Sequence, residues 1–191
     1  TSVTDDSDAT SLTLTATPSV VEGGDITYTA TLSNAAQTAV TVTLSTGQTI
    51  AIAAGATTGT VTIAAPSDDV YIDASTVSRT ISTATGGNFE ALTINPAAAN
   101  TTVIDDSDAT TVTLTATPSV VEGGTITYTA TLTSAAQTAI TVTLSTGQTI
   151  AIAAGASSGT VDIAAPTDDV YIDASTVSRT ISSATGGNFE S

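Results

Sequence analysis

The sequence contains no cysteine, histidine, methionine, tryptophan or lysine. These absences remove whole classes of chemistry. There is no thiol or imidazole to act as nucleophile or base, no Schiff-base lysine, no zinc or haem ligand set and no disulfide framework. Positive charge is nearly absent as well: Arg79 and Arg179 stand against 18 acids, for a net charge of -16. Two arginines make no basic footprint, so neither nucleic acid nor an anionic membrane is an expected partner. No apolar run reaches the roughly 18 residues of a membrane span, so no membrane insertion is expected. An initiator methionine and a signal peptide are also missing, which reads as an excerpt from a longer protein. What remains is 40% hydrophobic and only 10% charged, a composition that builds a packed core instead of a disordered chain.

The 191 residues suit one large β domain or two of about 100 residues. Internal repetition decides between them. Asp5-Asp6-Ser7-Asp8-Ala9-Thr10 returns as Asp105-Asp106-Ser107-Asp108-Ala109-Thr110, a period of 100, and residues 5–91 differ from 105–191 at 12 of 87 positions. Only Asp25 to Thr125 and Thr62 to Asp162 change charge, in opposite senses. A solenoid coil has a period of about 20–50 residues, so each copy is expected to be a domain with its own core. The expected organisation is one domain over 1–104, junction acids at 105–108, and a second domain over 109–191 that lacks its last strand.

Within each copy the hydrophobic period is two. Leu12, Leu14 and Ala16 alternate with threonines, as do Ile26, Tyr28, Ala30 and Leu32, then Val40, Val42 and Leu44. Further strands are expected at Ile50/Ile52, Val61/Ile63, Val77 to Ile81, and Leu92/Ile94 leading to Val103. Glycine and proline punctuate them at Pro18, Gly23-Gly24, Gly47, Gly55, Gly59, Pro66 and Gly86-Gly87. Seven or eight short strands per copy predict an all-β protein: two tandem immunoglobulin-like antiparallel β-sandwich domains arranged end to end. Threonine, about a quarter of the chain, suits the solvated sheet faces. An aligned ice-binding face would need flat ranks that twisted strands do not supply.

The acids are grouped, not scattered. In an antiparallel sandwich the connections alternate between the two ends, and this parity brings Glu22, the Asp68, Asp69 and Asp73 loop, and Asp105, Asp106 and Asp108 to one end. Gly86 to Glu90 falls at the other. Gathered carboxylates repel unless a cation sits among them. Ca2+ takes 6–8 oxygen ligands in flexible geometry and fits better than Mg2+, which dehydrates reluctantly. The second copy offers Glu122, Asp168, Asp169 and Asp173, and the leading copy of the junction trio is Asp5, Asp6 and Asp8. Neither an EF-hand loop nor the glycine-aspartate nonapeptide of calcium-binding β-helices is present. Arg79 shares parity with Val77 and Ile81 and is expected at an open side or an edge, paired with a carboxylate.

Val20-Val21-Glu22-Gly23-Gly24, Ile26 to Leu32, Asp68-Asp69-Val70-Tyr71 and Thr85 to Glu90 together resemble the tandem extender repeats of large bacterial RTX adhesins of the LapA type. The Glu-Gly step and the Asp-Asp-x-Tyr loop are also similar to Calx-β modules, which are calcium-binding sandwiches. The resemblance implies a secreted protein of the bacterial cell surface, extracellular, in which Ca2+ rigidifies a stalk of repeats in a biofilm adhesin. It places calcium ligands on Glu22, Asp68, Asp69 and the junction acids, and on Glu122, Asp168 and Asp169. The expected partners are adjacent repeats of the same chain, while the distal adhesive target is not bound by this segment. A carbohydrate-binding sandwich is the alternative, weakened by having only Tyr28, Tyr71, Tyr128 and Tyr171 to stack on sugars. No enzyme is expected, because a glycosidase pair such as Asp69 and Asp73 would need a pocket and positioning aromatics.

Overall fold

Alternation of core and solvent along each strand is the feature that builds the molecule. A computed structural model describes residues 1–4, 7–172 and 174–191. Among them no helix forms, and none is long and apolar enough to cross a membrane. The chain divides into two units. The first holds Thr1–Asp68 and Asp73–Asp106; the second holds Asp69–Ile72 and Ser107–Ser191.

Among its described residues the first unit has ten strands: β1 (Ala9–Ala16), β2 (Ser19–Val21), β3 (Asp25–Leu32), β4 (Val40–Leu44), β5 (Thr49–Ile52), β6 (Thr58–Ala64), β7 (Ser75–Arg79), β8 (Ile81–Gly86), β9 (Ala91–Ile94) and β10 (Ala99–Ile104). One layer is the sheet β6-β3-β1-β9; facing it are β2-β10-β7 and β5-β4-β8. Ile26, Tyr28, Ala30 and Leu32 of β3 meet Val40, Val42 and Leu44 of β4 and Ile50 and Ile52 of β5 in one buried core. The intervening threonines line the outer faces, where Thr13 Oγ1 donates to the Thr31 carbonyl at 3.4 Å.

Three details depart from expectation. The strand expected from Val77 to Ile81 is broken at Thr80, so that β7 joins one three-stranded sheet and β8 the other. Two pairings are parallel, β1 with β9 and β2 with β10. Both begin-and-end pairs run the same way because β1 crosses sheets at Pro18 and the last strands repeat that crossing after Pro96. The chain therefore enters the unit at one end and leaves it at the other. Finally, Arg79 Nη1 donates to the Ser78 backbone carbonyl at 2.8 Å, where a carboxylate partner was expected.

The second unit repeats this framework with β11 (Val112–Ala116), β12 (Thr125–Leu132), β13 (Ile140–Leu144), β14 (Thr149–Ile152), β15 (Ser158–Ala164) and β16 (Ile181–Gly186). Registers are copied: Tyr128 pairs with Val161 as Tyr28 pairs with Val61. Residues 119–121 and 175–179, the counterparts of β2 and β7, are not strands. Both strands pair with β10 in the first unit, and the second copy carries no counterpart of β10 within the 191 residues. A cleft of about 860 Å³ lies there, lined by Val120, Glu122, Ile126, Pro166, Asp168 and Val177.

Candidate metal centre

Glu22 follows β2 in a turn that needs its glycines. Gly23 has φ 65°, and a Cβ on Gly24 would stand 2.9 Å from the Val21 carbonyl oxygen. The turn staples two distant segments through its backbone. Glu22 N–H donates to the Ile104 carbonyl at 3.1 Å, one residue before Asp105, and Gly23 N–H donates to the Pro66 carbonyl at 2.6 Å, two residues before Asp68. Three acidic stretches are thereby held at the end where the chain leaves the first unit.

At that end the carboxylate oxygens of Glu22, Asp73 and Asp105 lie within 4.8 Å of one another. Asp73 N–H also donates to Asp105 Oδ1 at 3.3 Å. Glu22 is only 6% exposed, and its Oε2 is buried without a hydrogen-bond partner. Its pKa is pushed up from 4.5 to about 7: first by the hydrogen bond it shares with Asp73, then by burial and the Asp73 charge, then by Asp105. Three carboxylates at this spacing accept either a proton or a cation. Two ligands of one Ca2+, each 2.3–2.6 Å away, stand at most about 5 Å apart, so the group fits one ion. Asp68 and Asp106 bring a second pair of carboxylates within 4.8 Å at the same end.

The other expected ligands sit elsewhere. Asp69 belongs to the second unit and turns its Oδ1 to the N–H of Tyr71 at 2.8 Å, as Asp169 does for Tyr171. Asp8 directly precedes β1 at the entry end of the first unit, where its N–H donates to Glu90 Oε2 at 2.5 Å. Asp108 repeats that local bond with Glu190 at 2.6 Å. Glu122 is half-buried and shares the open cleft with Asp168. Asp5, Asp6 and Asp173 lie outside the described residues. Of the loop acids expected at this end, the structure brings Asp73 beside Glu22 and Asp105, sets Asp68 beside Asp106, and turns Asp69 to Tyr71.

The LapA domain family matches residues 8–106 and again 108–191, almost the whole chain. The chain belongs to the LapA domain family. The LapA domain ties it to biofilm adhesins, a cell-surface class that is in general non-enzymatic. No match is found among the curated proteins. Within this LapA-domain chain, the acidic group at Glu22 is the best-formed set of oxygen ligands among the described residues.

Proposed function

We propose that this chain is a non-catalytic extender segment of a secreted RTX-type biofilm adhesin, in which Ca2+ bound at the exit end of a repeat stiffens its junction with the next. The observation that carries the reading is Glu22, an acid 6% exposed whose Oε2 is buried without a hydrogen-bond partner and whose carboxylate lies within 4.8 Å of two others. A cation there would draw Asp73 and Asp105 onto the β2 turn. Because Asp105 directly follows β10, fixing it fixes the direction in which the chain leaves. The remaining coordination positions fall to loop carbonyls, water and a second oxygen of a bidentate carboxylate. The adjacent repeats of the same chain are the partners, the bacterial surface is the location, and adhesive contact belongs to modules outside this segment. A sugar-binding reading finds little support, since Tyr28 and Tyr128 are buried and Tyr71 is stacked on Phe189, which leaves Tyr171 alone exposed among the four tyrosines.

The test is calcium calorimetry in buffers of different ionisation enthalpy, near pH 7. Binding should release protons from the Glu22 group, and Glu22→Gln should lose both the binding heat and the proton release. Small-angle scattering should show a narrower spread of dimensions with calcium than with chelator. No heat in wild type, or identical scattering in both conditions, would sink the proposal.

A further inference from the structure

Residues Asp69–Ile72 lie in the first sequence copy but are part of the second unit. They form a short strap on the turn Gly186–Glu190. The Tyr71 ring stacks on Phe189 with centroids 5.6 Å apart, and its hydroxyl donates to the Ala135 carbonyl at 2.5 Å. Ile72 N–H donates to the Asn188 carbonyl and Glu190 N–H to the Val70 carbonyl, each at 3.2 Å. Asn188 Nδ2 adds a bond to the Ile72 carbonyl at 3.2 Å.

The same turn holds a second passing segment. Asp108 N–H donates to Glu190 Oε2 at 2.6 Å, and both residues are half-buried. Glu190 Oε1 is buried as well, without a hydrogen-bond partner. A chance contact of a surface acid would leave that second oxygen in water; here the carboxylate is enclosed and commits its bond to the linker amide. The pairing is built into the repeat, since Glu90 Oε2 takes the Asp8 N–H at 2.5 Å in the first unit. Asp73 directly follows Ile72, and only Asp106 and Ser107 separate Asp105 from Asp108. The two segments that carry the carboxylate partners of Glu22 therefore both run into one turn, Asn188–Glu190.

We propose that Glu190 is a positioning residue of the junction, whose carboxylate fixes the incoming linker at Asp108 while its backbone N–H and Asn188 fix the strap. It does so with no ion. The role is that of an extender joint and rests on that reading of the chain, though not on calcium. A hydrogen bond from a backbone N–H to a carboxylate is charge-assisted and roughly twice as strong as a neutral one. Asp105 accepts from Asp73 N–H at 3.3 Å and Asp108 is held by Glu190, so the linker keeps two residues free to move. Calcium would tighten the first hold; Glu190 supplies the second.

Amide exchange of the full chain, followed by NMR in chelator, tests this apart from the calcium reading. The Asp108 amide should be protected in wild type and exchange about tenfold faster in Glu190→Ala, the loss of one charge-assisted bond. Glu190→Gln keeps an acceptor oxygen and should restore part of the protection. Glu90→Ala should release the Asp8 amide and leave that of Asp108 as it was. The amides of β12 should keep their rates throughout, which marks the effect as local. Because the chain has no cysteine, a spin label at Ser107→Cys reports on the linker alone and should become more mobile in Glu190→Ala. An Asp108 amide unprotected in wild type, a label equally mobile with and without Glu190, or acceleration shared by β12 would overturn the inference. An absent calcium response would defeat the calcium reading and leave each of these outcomes in place.

Discussion

Glu22 and Glu122 sit in the same five residues, Val-Val-Glu-Gly-Gly, and the following glycine donates to a proline carbonyl at 2.6 Å in both. One is 6% exposed with a pKa raised to about 7; the other is half-buried on an open cleft. The difference comes from β10, more than 75 residues downstream. Its Ile104 carbonyl accepts from Glu22 N–H, its Val103 is fully buried, and its Thr101 Oγ1 donates to the Thr17 carbonyl at 2.7 Å. With β2 and β7 paired to β10, the turn is walled and Glu22 is enclosed. Without it, Val121 rises to 81% exposed from 52% for Val21. A local motif supplies an acid, and a remote strand turns that acid into a site.

The comparison breaks most sharply at β10. Val103→Asp puts an unpaired charge on a position with no exposure and should cost on the order of 4 kcal/mol. In a thermal melt the transition of the first unit should fall steeply while that of the second stays. A shift of both transitions together would mean that the units do not unfold separately. The converse change should sharpen the contrast. Appending a copy of residues 92–106 after Ser191 should bury Glu122 and add a calcium-dependent rise in the second unit's melting temperature. An ion at a hundredfold excess over its Kd contributes about 2.7 kcal/mol. An extended chain with no calcium response in that unit would refute the role given to β10.

A third difference lies in pH. The Glu22 group binds its proton more tightly folded, at about 7, than at its ordinary 4.5. Its contribution is then fully present below about 4.5 and lost as pH rises through about 7. In chelator the first unit should lose stability across this window, Glu22→Gln should flatten the slope, and calcium should reverse the loss above pH 7. A slope unchanged by the substitution would assign it to other acids. The smallest effect concerns one of the two charge-changing positions, Thr62 in the first copy and Asp162 in the second. Thr127 Oγ1 donates to Asp162 at 2.6 Å, while Thr27 and Thr62 meet only at 3.4 Å. Thr127→Ala should cost no more than about 1 kcal/mol and Thr27→Ala less, both read by denaturant midpoints.

Much of this fold was legible because period-two alternation is a local property. Ile26, Tyr28, Ala30 and Leu32 all face the core, and the glycines and prolines mark the connections. The three-residue β2 was missed because Ser19-Val20-Val21 is too short to show a period. The break between β7 and β8 was missed because Thr80 carries no turn signal. Among the acids, strand parity assigned Glu22, Asp73 and Asp105 to one end because it depends only on how many strands lie between them. Side-chain competition then chose among the neighbours. Asp69 satisfies the N–H of Tyr71 two residues on, whereas Asp73, past the strap, closes on Asp105 and Glu22.

The sequence by itself determined the all-β class, the repeat, the alternating faces and the end at which the acids gather. Each of these follows from residue type and from counting along the chain. Only the tertiary structure decided that Glu22 is enclosed while Glu122 is not, and that residues 69–72 join the second unit. Burial and strand exchange depend on which distant backbone groups find partners, and in the first copy it is β10 that pairs with β2 and β7.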